Sequence, residues 1–342
     1  MNCTHDNVGE LRLDAVVDAA STVYARHDRN RSLWDVWSHA LHHAAAIAEE
    51  IRKLSLPAAN DGKLRQEIAD LALWLFAMIA KLKGPLGSPV QINEVPQDSV
   101  VRISVNASDL MWNRYPGVCP WCYCAVHAGD NARIDEADFG RPCCCDSLGI
   151  AEREKQKEEL RARAKRTRLL AKEHMSRRPR SIDDWQNLIG NLYRQRLGQM
   201  TPSDVALHLL EEMGEVSDGL IRMYTYSGRD SIEEEIFPRR ARLEDELADV
   251  LSWLFGIVEC LELRKRSQPN DGLLTDVPAA STVRLRLSQI LWARYGSDEK
   301  HTIRCFHCGA EQCVCDIQLI QSKEQVEDLL AKLSKSPSPG FV

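Results

Sequence analysis

The chain has 342 residues, 44% of them hydrophobic, enough apolar material for two ordinary domain cores. A formal charge of -6 excludes a protein devoted throughout to nucleic-acid phosphates, while leaving room for a local basic patch. No run of eighteen apolar residues occurs, and the opening MNCTHDNVGELRLD is acidic where a signal peptide is basic and then apolar, so a cytoplasmic protein with no membrane partner is expected.

In chain order, residues 1–100 read as a first helical unit, broken by the turn-forming stretches 57–62 and 84–96. Residues 101–146 carry the first cysteine cluster. Residues 147–178 form a basic, proline-free helical linker: from 151 onward it holds eleven Lys or Arg against five Asp or Glu, which suits a solvated connection. Residues 179–268 form a second helical unit, with apolar positions spaced by three and four; Thr201 caps a helix whose first residue is Pro202. Residues 269–318 carry the second cysteine cluster, and 319–342 a C-terminal helix and a tail containing PSPG, expected to be disordered.

Sliding the sequence on itself shows that it is written twice. At an offset of 169, Tyr24, Asp35, Val36 and His39 meet Tyr193, Asp204, Val205 and His208. At 179, EIADLALWLF (67–76) meets ELADVLSWLF (246–255), so the second copy has about ten more residues in the intervening loop. At 180, Trp112, Arg114 and Tyr115 meet Trp292, Arg294 and Tyr295. The fold class expected is all-α, with the two units packed as an internal pseudo-dimer, because faces such as Leu71, Leu75 and Met78, or Leu251, Leu254 and Val258, are too apolar for a lone helical hairpin to bury.

Ten of the twelve cysteines fall in the two clusters, with the spacing of metal thiolates in a reducing compartment. Cys305, Cys308, Cys313 and Cys315 offer four sulfurs for one closed tetrahedral zinc site; Cys119, Cys122, Cys143 and Cys145 repeat the set with a longer loop, leaving Cys124 and Cys144 over. Two structural Zn²⁺ ions are expected, with iron–sulfur ligation the alternative; such modules either contact nucleic acid or partner proteins or staple the C-terminal end of each helical unit.

The chemistry is expected in the second unit. Glu211, Glu212, Glu215 and Asp218 share one helix stripe, where like charges repel unless a cation lies between them. Glu246 and Asp249 sit one turn apart amid Leu247, Val250, Leu251 and Trp253, so burial is expected to force on them either a proton or a cation. Carboxylate oxygens are the donors that Mg²⁺ or Mn²⁺ prefers.

The EExxE element at 211–215 followed by ExxD at 246–249 resembles the MazG-like all-α nucleotide pyrophosphatases, over roughly residues 185–262 and more faintly over 16–83. The resemblance implies a helical bundle that cradles Mg²⁺ and hydrolyses a nucleoside or deoxynucleoside triphosphate to the monophosphate and pyrophosphate. It implies Glu212, Glu215, Glu246 and Asp249 as metal ligands, with Glu211 beside them as a further catalytic carboxylate. Arg222, Arg239, Arg240 and Arg242 are candidates for the remaining phosphates, and Tyr224 and Trp253 for the base, although Trp253 also suits a core position.

In the first unit His42, His43 and Ala46 stand where Glu211, Glu212 and Glu215 stand in the second, while Glu67 and Asp70 are kept. Two readings follow: a degenerate copy that serves as built-in partner, or a softer metal held by His39, His42 or His43 with Glu67 and Asp70. The competing function is a non-catalytic zinc protein that senses a nucleotide or binds nucleic acid, favoured by the basic linker and cysteine modules. Beyond the nucleotide, a homo-oligomer is compatible with the sequence and nucleic acid is the less favoured partner.

Overall fold

A computed structural model describes residues 11–54, 61–83, 106–120, 171–224, 232–267, 284–297, 302–305 and 308–315; the side chains of 29–30, 223–241 and 266–267 are outside this set. The described residues are mostly α-helical. The basic stretch up to residue 170, Cys122, Cys143, Cys145, Tyr224, Arg239, Arg240 and the C-terminal segment are therefore not described, in whole or in side chain.

The first repeat contributes α1 (Leu13–Val23), α2 (Ala25–Asn30), α3 (Leu33–Lys53), α4 (Gly62–Lys83) and α5 (Ala107–Arg114). The second contributes α6 (Ile182–Leu192), α7 (Arg194–Gln199), α8 (Pro202–Tyr224), α9 (Ile232–Ser267) and α10 (Leu287–Tyr295), then a two-stranded ribbon of β1 (Gly296–Ser297) and β2 (Thr302–Ile303). The starts of α6, α7 and α8 lie 169 residues after those of α1, α2 and α3, and the start of α10 lies 180 after that of α5. The order and offsets are those of the sequence repeat. The second copy's extra length lies between α8 and α9, partly in an earlier start for α9.

Local sequence explains the helix starts. Ser32 caps α3 by accepting from the Asp35 amide while the Asp35 carboxylate accepts from the Ser32 amide. Thr201 and Asp204, at the matching positions, do the same ahead of Pro202 on α8, with the Thr201 amide donating to Asp204 at 2.7 Å. Ser181 and Asp184 form a third such box on α6.

Each repeat closes α3 on α4, or α8 on α9, as an antiparallel hairpin, and the hairpins meet along α3 and α8. The short helices then cross over: α5 packs on α9 of the other repeat, and α10 packs on α4. The apolar faces at Leu71, Leu75 and Met78 and at Leu251, Leu254 and Val258 are buried as expected. They are buried by exchange, since α4 is covered by α1 and α10 and α9 by α6 and α5, whereas α4 and α9 scarcely touch. One continuous core results, with Trp37, Trp112, Trp185, Phe76 and Phe255 fully inside it.

The repeat axis is visible in the backbone. Arg12 pairs with Ser181, its own repeat-mate, in an antiparallel bridge. The Leu13 amide donates to the Arg180 carbonyl at 3.3 Å and the Ile182 amide to the Leu11 carbonyl at 2.8 Å, two bonds that the 169-residue offset exchanges. A residue facing its own mate antiparallel is what a two-fold relation between like units requires. No described helix is long and apolar enough to cross a membrane.

Candidate metal centres and the crossed arginine clamps

α8 and α9 bring Glu212, Glu246 and Asp249 together, with one carboxylate oxygen of each within 4.8 Å of the others. The stripe on α8 supplies Glu212, and the turn Glu246 to Asp249 on α9 faces it because Leu247, Val250, Leu251 and Leu254 turn the rest of that helix into the core. Glu246 and Asp249 are 9% and 3% exposed, so the burial that the sequence demanded is real. Glu215 lies at the rim, 44% exposed, with its carboxylate 3.7 Å from the Arg242 guanidinium, which also donates to Glu246 at 3.2 Å.

The crowding is reflected in the acidities. Burial, then the charges of Asp249, Glu215 and Glu246, push the Glu212 carboxyl up to about 8. Burial, then Glu215 and Asp249, push Glu246 up to about 7. Without a cation these groups hold protons near neutrality; deprotonated, they offer three oxygen donors of the kind that a hard divalent ion takes.

Asp249 is held from the other repeat. Arg114, at the end of α5, donates through Nε to Oδ1 at 2.9 Å and through a terminal nitrogen to Oδ2 at 2.6 Å; Tyr115 Oη donates to Oδ1 at 2.6 Å. These three bonds leave about one of the carboxylate's four acceptor sites for a further partner. The repeat-mates make the reciprocal clamp: Arg294 binds both oxygens of Asp70 at 3.0 and 3.1 Å, and Tyr295 Oη donates to Asp70. Sequence reasoning used these arginines and tyrosines only as repeat markers. A charged residue kept at one offset between two copies was the signal of their role.

The other expected residues divide. Trp253 belongs to the site, donating from Nε1 to Glu212 at 3.3 Å and stacking on His208 with ring centroids 4.7 Å apart, while the Arg196 guanidinium lies 5.3 Å from the indole ring. Glu211 does not join the carboxylate set: it is 63% exposed and paired with His208 at 3.0 Å, because position 211 lies on the outer side of the α8 stripe. Arg222 pairs with Asp218 at 2.7 Å on the surface of α8. Arg242 reaches the carboxylates themselves, where it balances their charge. Protein-family models, curated proteins and solved structures give no match to this chain.

The second cysteine cluster is assembled as expected. Cys305, Cys308, Cys313 and Cys315 place their sulfurs within 4.8 Å of one another, a set suited to a metal ion such as zinc. Gly309 adopts φ +67°, and its amide closes the turn on the Cys305 carbonyl at 2.8 Å, a left-handed conformation that a side chain would strain. Backbone amides of Val314 and Ala310 push the Cys308 thiol down to about 6, which favours the thiolate a metal needs. The ribbon that leads into the cluster bonds to the end of α10, where the Arg304 amide donates to the Tyr295 carbonyl at 2.8 Å, and the cluster also reaches across to the other repeat. The Cys313 amide bonds to the Val23 carbonyl of α1 at 2.8 Å and β2 also packs on α1, so it closes the first repeat. Cys119, the one described ligand candidate of the first cluster, lies 3.6 Å from Tyr193 Oη of the second repeat, the mirror of this exchange. The crossover follows from α5 and α10, which carry the cysteines after them to the partner repeat.

In the first repeat, His43, Glu67 and Asp70 also gather within 4.8 Å, with His43 Nδ1 2.7 Å from a Glu67 oxygen. His39 instead stacks on Trp74 at 4.3 Å, as its mate His208 does on Trp253, and His42 meets His43 edge to face.

Proposed function

We propose that the second repeat is a magnesium-dependent nucleotide pyrophosphohydrolase, cleaving a nucleoside triphosphate to the monophosphate and pyrophosphate, with Mn²⁺ able to substitute. The observation that carries this reading is the convergence of Glu212, Glu246 and Asp249 from two facing helices, with Glu215 at the rim. The donor set is all oxygen and partly buried, and it carries more negative charge than its surroundings neutralise, which fits a hard divalent ion. Such an ion supplies Lewis-acid neutralisation of the phosphate oxygens.

The chain's own residues then have distinct tasks. Glu212, Glu246 and Asp249 hold the ion, and Arg114 and Tyr115 fix the Asp249 rotamer from the other repeat, so the centre depends on both copies. Arg242 steadies Glu246 and Glu215. We assign Glu215, half open to solvent, as acceptor of the proton released by the attacking water. The stacked Trp253 and His208 offer a π surface to the nucleobase, and Arg196 beside them a positive group for a phosphate.

Full-length protein with Mg²⁺ and a panel of nucleoside triphosphates should release pyrophosphate, and Glu246→Gln should not. Nucleotide binding without turnover across the panel would instead assign a sensor and defeat the hydrolase reading.

A further inference from the structure

The first repeat keeps the frame of the second but changes one ligand. His43 stands 169 residues before Glu212, and Glu67 and Asp70 stand 179 before Glu246 and Asp249, so the two triads are the same three places in two copies. The clamp is copied as well, with Arg294 and Tyr295 on Asp70. A repeat that had become mere packing has no need to hold a buried acid, 5% exposed, in a fixed rotamer beside a second buried acid, Glu67, at 7%.

The site also opens onto space. His43 and Asp70 line a cavity of about 340 Å³, which continues past Trp74 and Tyr24 to the second cysteine cluster. Its Trp74 wall is stacked on His39, and the Arg31 guanidinium lies 5.0 Å from the indole.

We propose that the first repeat holds a separate metal centre, in which His43, Glu67 and Asp70 bind a divalent transition-metal ion of borderline softness at the wall of this cavity. The imidazole decides the class of ion: two carboxylates and one ring nitrogen suit Zn²⁺, Co²⁺ or Fe²⁺ better than Mg²⁺, which prefers oxygens and retains water. The geometry agrees, because ligand atoms around an ion at ~2.1 Å stand roughly 3 Å apart. His43 Nδ1 and Glu67 Oε2 are 2.7 Å apart, bridged by a proton until an ion replaces it. Arg294 and Tyr295 act as outer partners that orient Asp70, as such partners do for metal-bound carboxylates. The cavity gives the remaining coordination positions room for water or a small donor ligand.

Co²⁺ is the probe, because thiolate ligation gives intense charge-transfer absorption and nitrogen–oxygen ligation does not. Full-length protein carrying Glu246→Gln, with its cysteine clusters loaded with zinc, should bind one further equivalent of Co²⁺ in equilibrium dialysis, with weak d–d bands and no thiolate band. Adding His43→Gln, which retains a hydrogen bond to Glu67, should weaken that equivalent by at least ~10-fold. His43→Glu should shift the site's preference from Co²⁺ toward Mn²⁺. Absence of the non-thiolate equivalent in the Glu246→Gln protein overturns the proposal whatever the variants do. So does unchanged Co²⁺ affinity in His43→Gln with the helical circular dichroism intact.

Discussion

Arg114 of the first repeat grips both carboxylate oxygens of Asp249 in the second, and its repeat-mate Arg294 grips both oxygens of Asp70 in the first. Each repeat therefore reaches across the internal two-fold to set an acid in the other's centre. Asp249 is 4% exposed at its side chain and Arg114 18%, so water cannot replace either partner cheaply. Arg114→Ala should destabilise the protein by about 3–5 kcal/mol, the usual result of leaving one charge of a buried pair alone. Urea unfolding measures it, and adding Asp249→Asn should recover part of the loss in a double-mutant cycle.

The carboxylates on α8 should separate sharply in function. Glu212→Gln should eliminate pyrophosphate release, whereas Glu211→Gln, altering a side chain that faces solvent and His208, should leave it within a few-fold. Equal losses from the two would place the catalytic set on the outer stripe.

The raised acidities predict a pH signature. Glu212 and Glu246 titrate near 8 and 7 in the folded, metal-free protein, against an ordinary value of 4.5. The folded state thus binds more protons than the unfolded state between those limits. Their favourable contribution is full below the ordinary value and is lost as pH rises through 7 to 8. In EDTA, the melting temperature of wild type relative to Glu212→Gln should fall as pH rises from 5 to 8. Saturating Mg²⁺ should oppose the fall, since the ion binds the deprotonated carboxylates. A difference that is flat with pH would show that these groups are not crowded.

Cys308→Ser should release zinc from the second cysteine cluster, and elemental analysis should count one ion fewer per chain than in wild type. Because this cluster closes on α1, hydrogen exchange should quicken at α1 in the first repeat rather than at the neighbouring α9. Exchange changing only around α9 would contradict the crossover.

A fragment spanning 179–342 lacks α5, so Asp249 loses its clamp and α10 loses α4. The fragment carries α10 with Arg294 and Tyr295, which are the repeat-mates of Arg114 and Tyr115. It should pair with itself, each α10 lying on the other's α9, or else aggregate. Size-exclusion chromatography with light scattering should find a dimer, and Arg294→Ala should abolish it. A stable, active monomer of the fragment would mean that the first repeat is not needed to complete the centre.

Much of this was legible in the residues. The spacing of apolar positions gave the long helices, and the capping pair at Thr201 and Asp204 ahead of Pro202 gave a helix start to the residue. The buried pair Glu246 and Asp249 was readable because no helical face could solvate them among leucines. Glu211 lies outside the carboxylate set because a four-carboxylate stripe has inner and outer edges, and only the partner helix decides which edge is inside. The three histidines at 39, 42 and 43 looked equivalent along the chain, yet only His43 falls within ligand distance of Glu67 and Asp70.

By itself, the sequence determined what local periodicity and self-comparison can carry: helices, a duplication, two cysteine clusters, and acids too buried to stand alone. The tertiary structure decided who completes whom. Covalent order suggests that each cysteine cluster and each Arg-Tyr pair serve the helices just before them, but two like units related by a two-fold can exchange their terminal segments with the contacts preserved. Such an exchange leaves hydrophobic pattern and charge unchanged along the chain, so no reading of one copy reveals it; it is fixed only by contacts such as those of Arg114 with Asp249 and Cys313 with Val23.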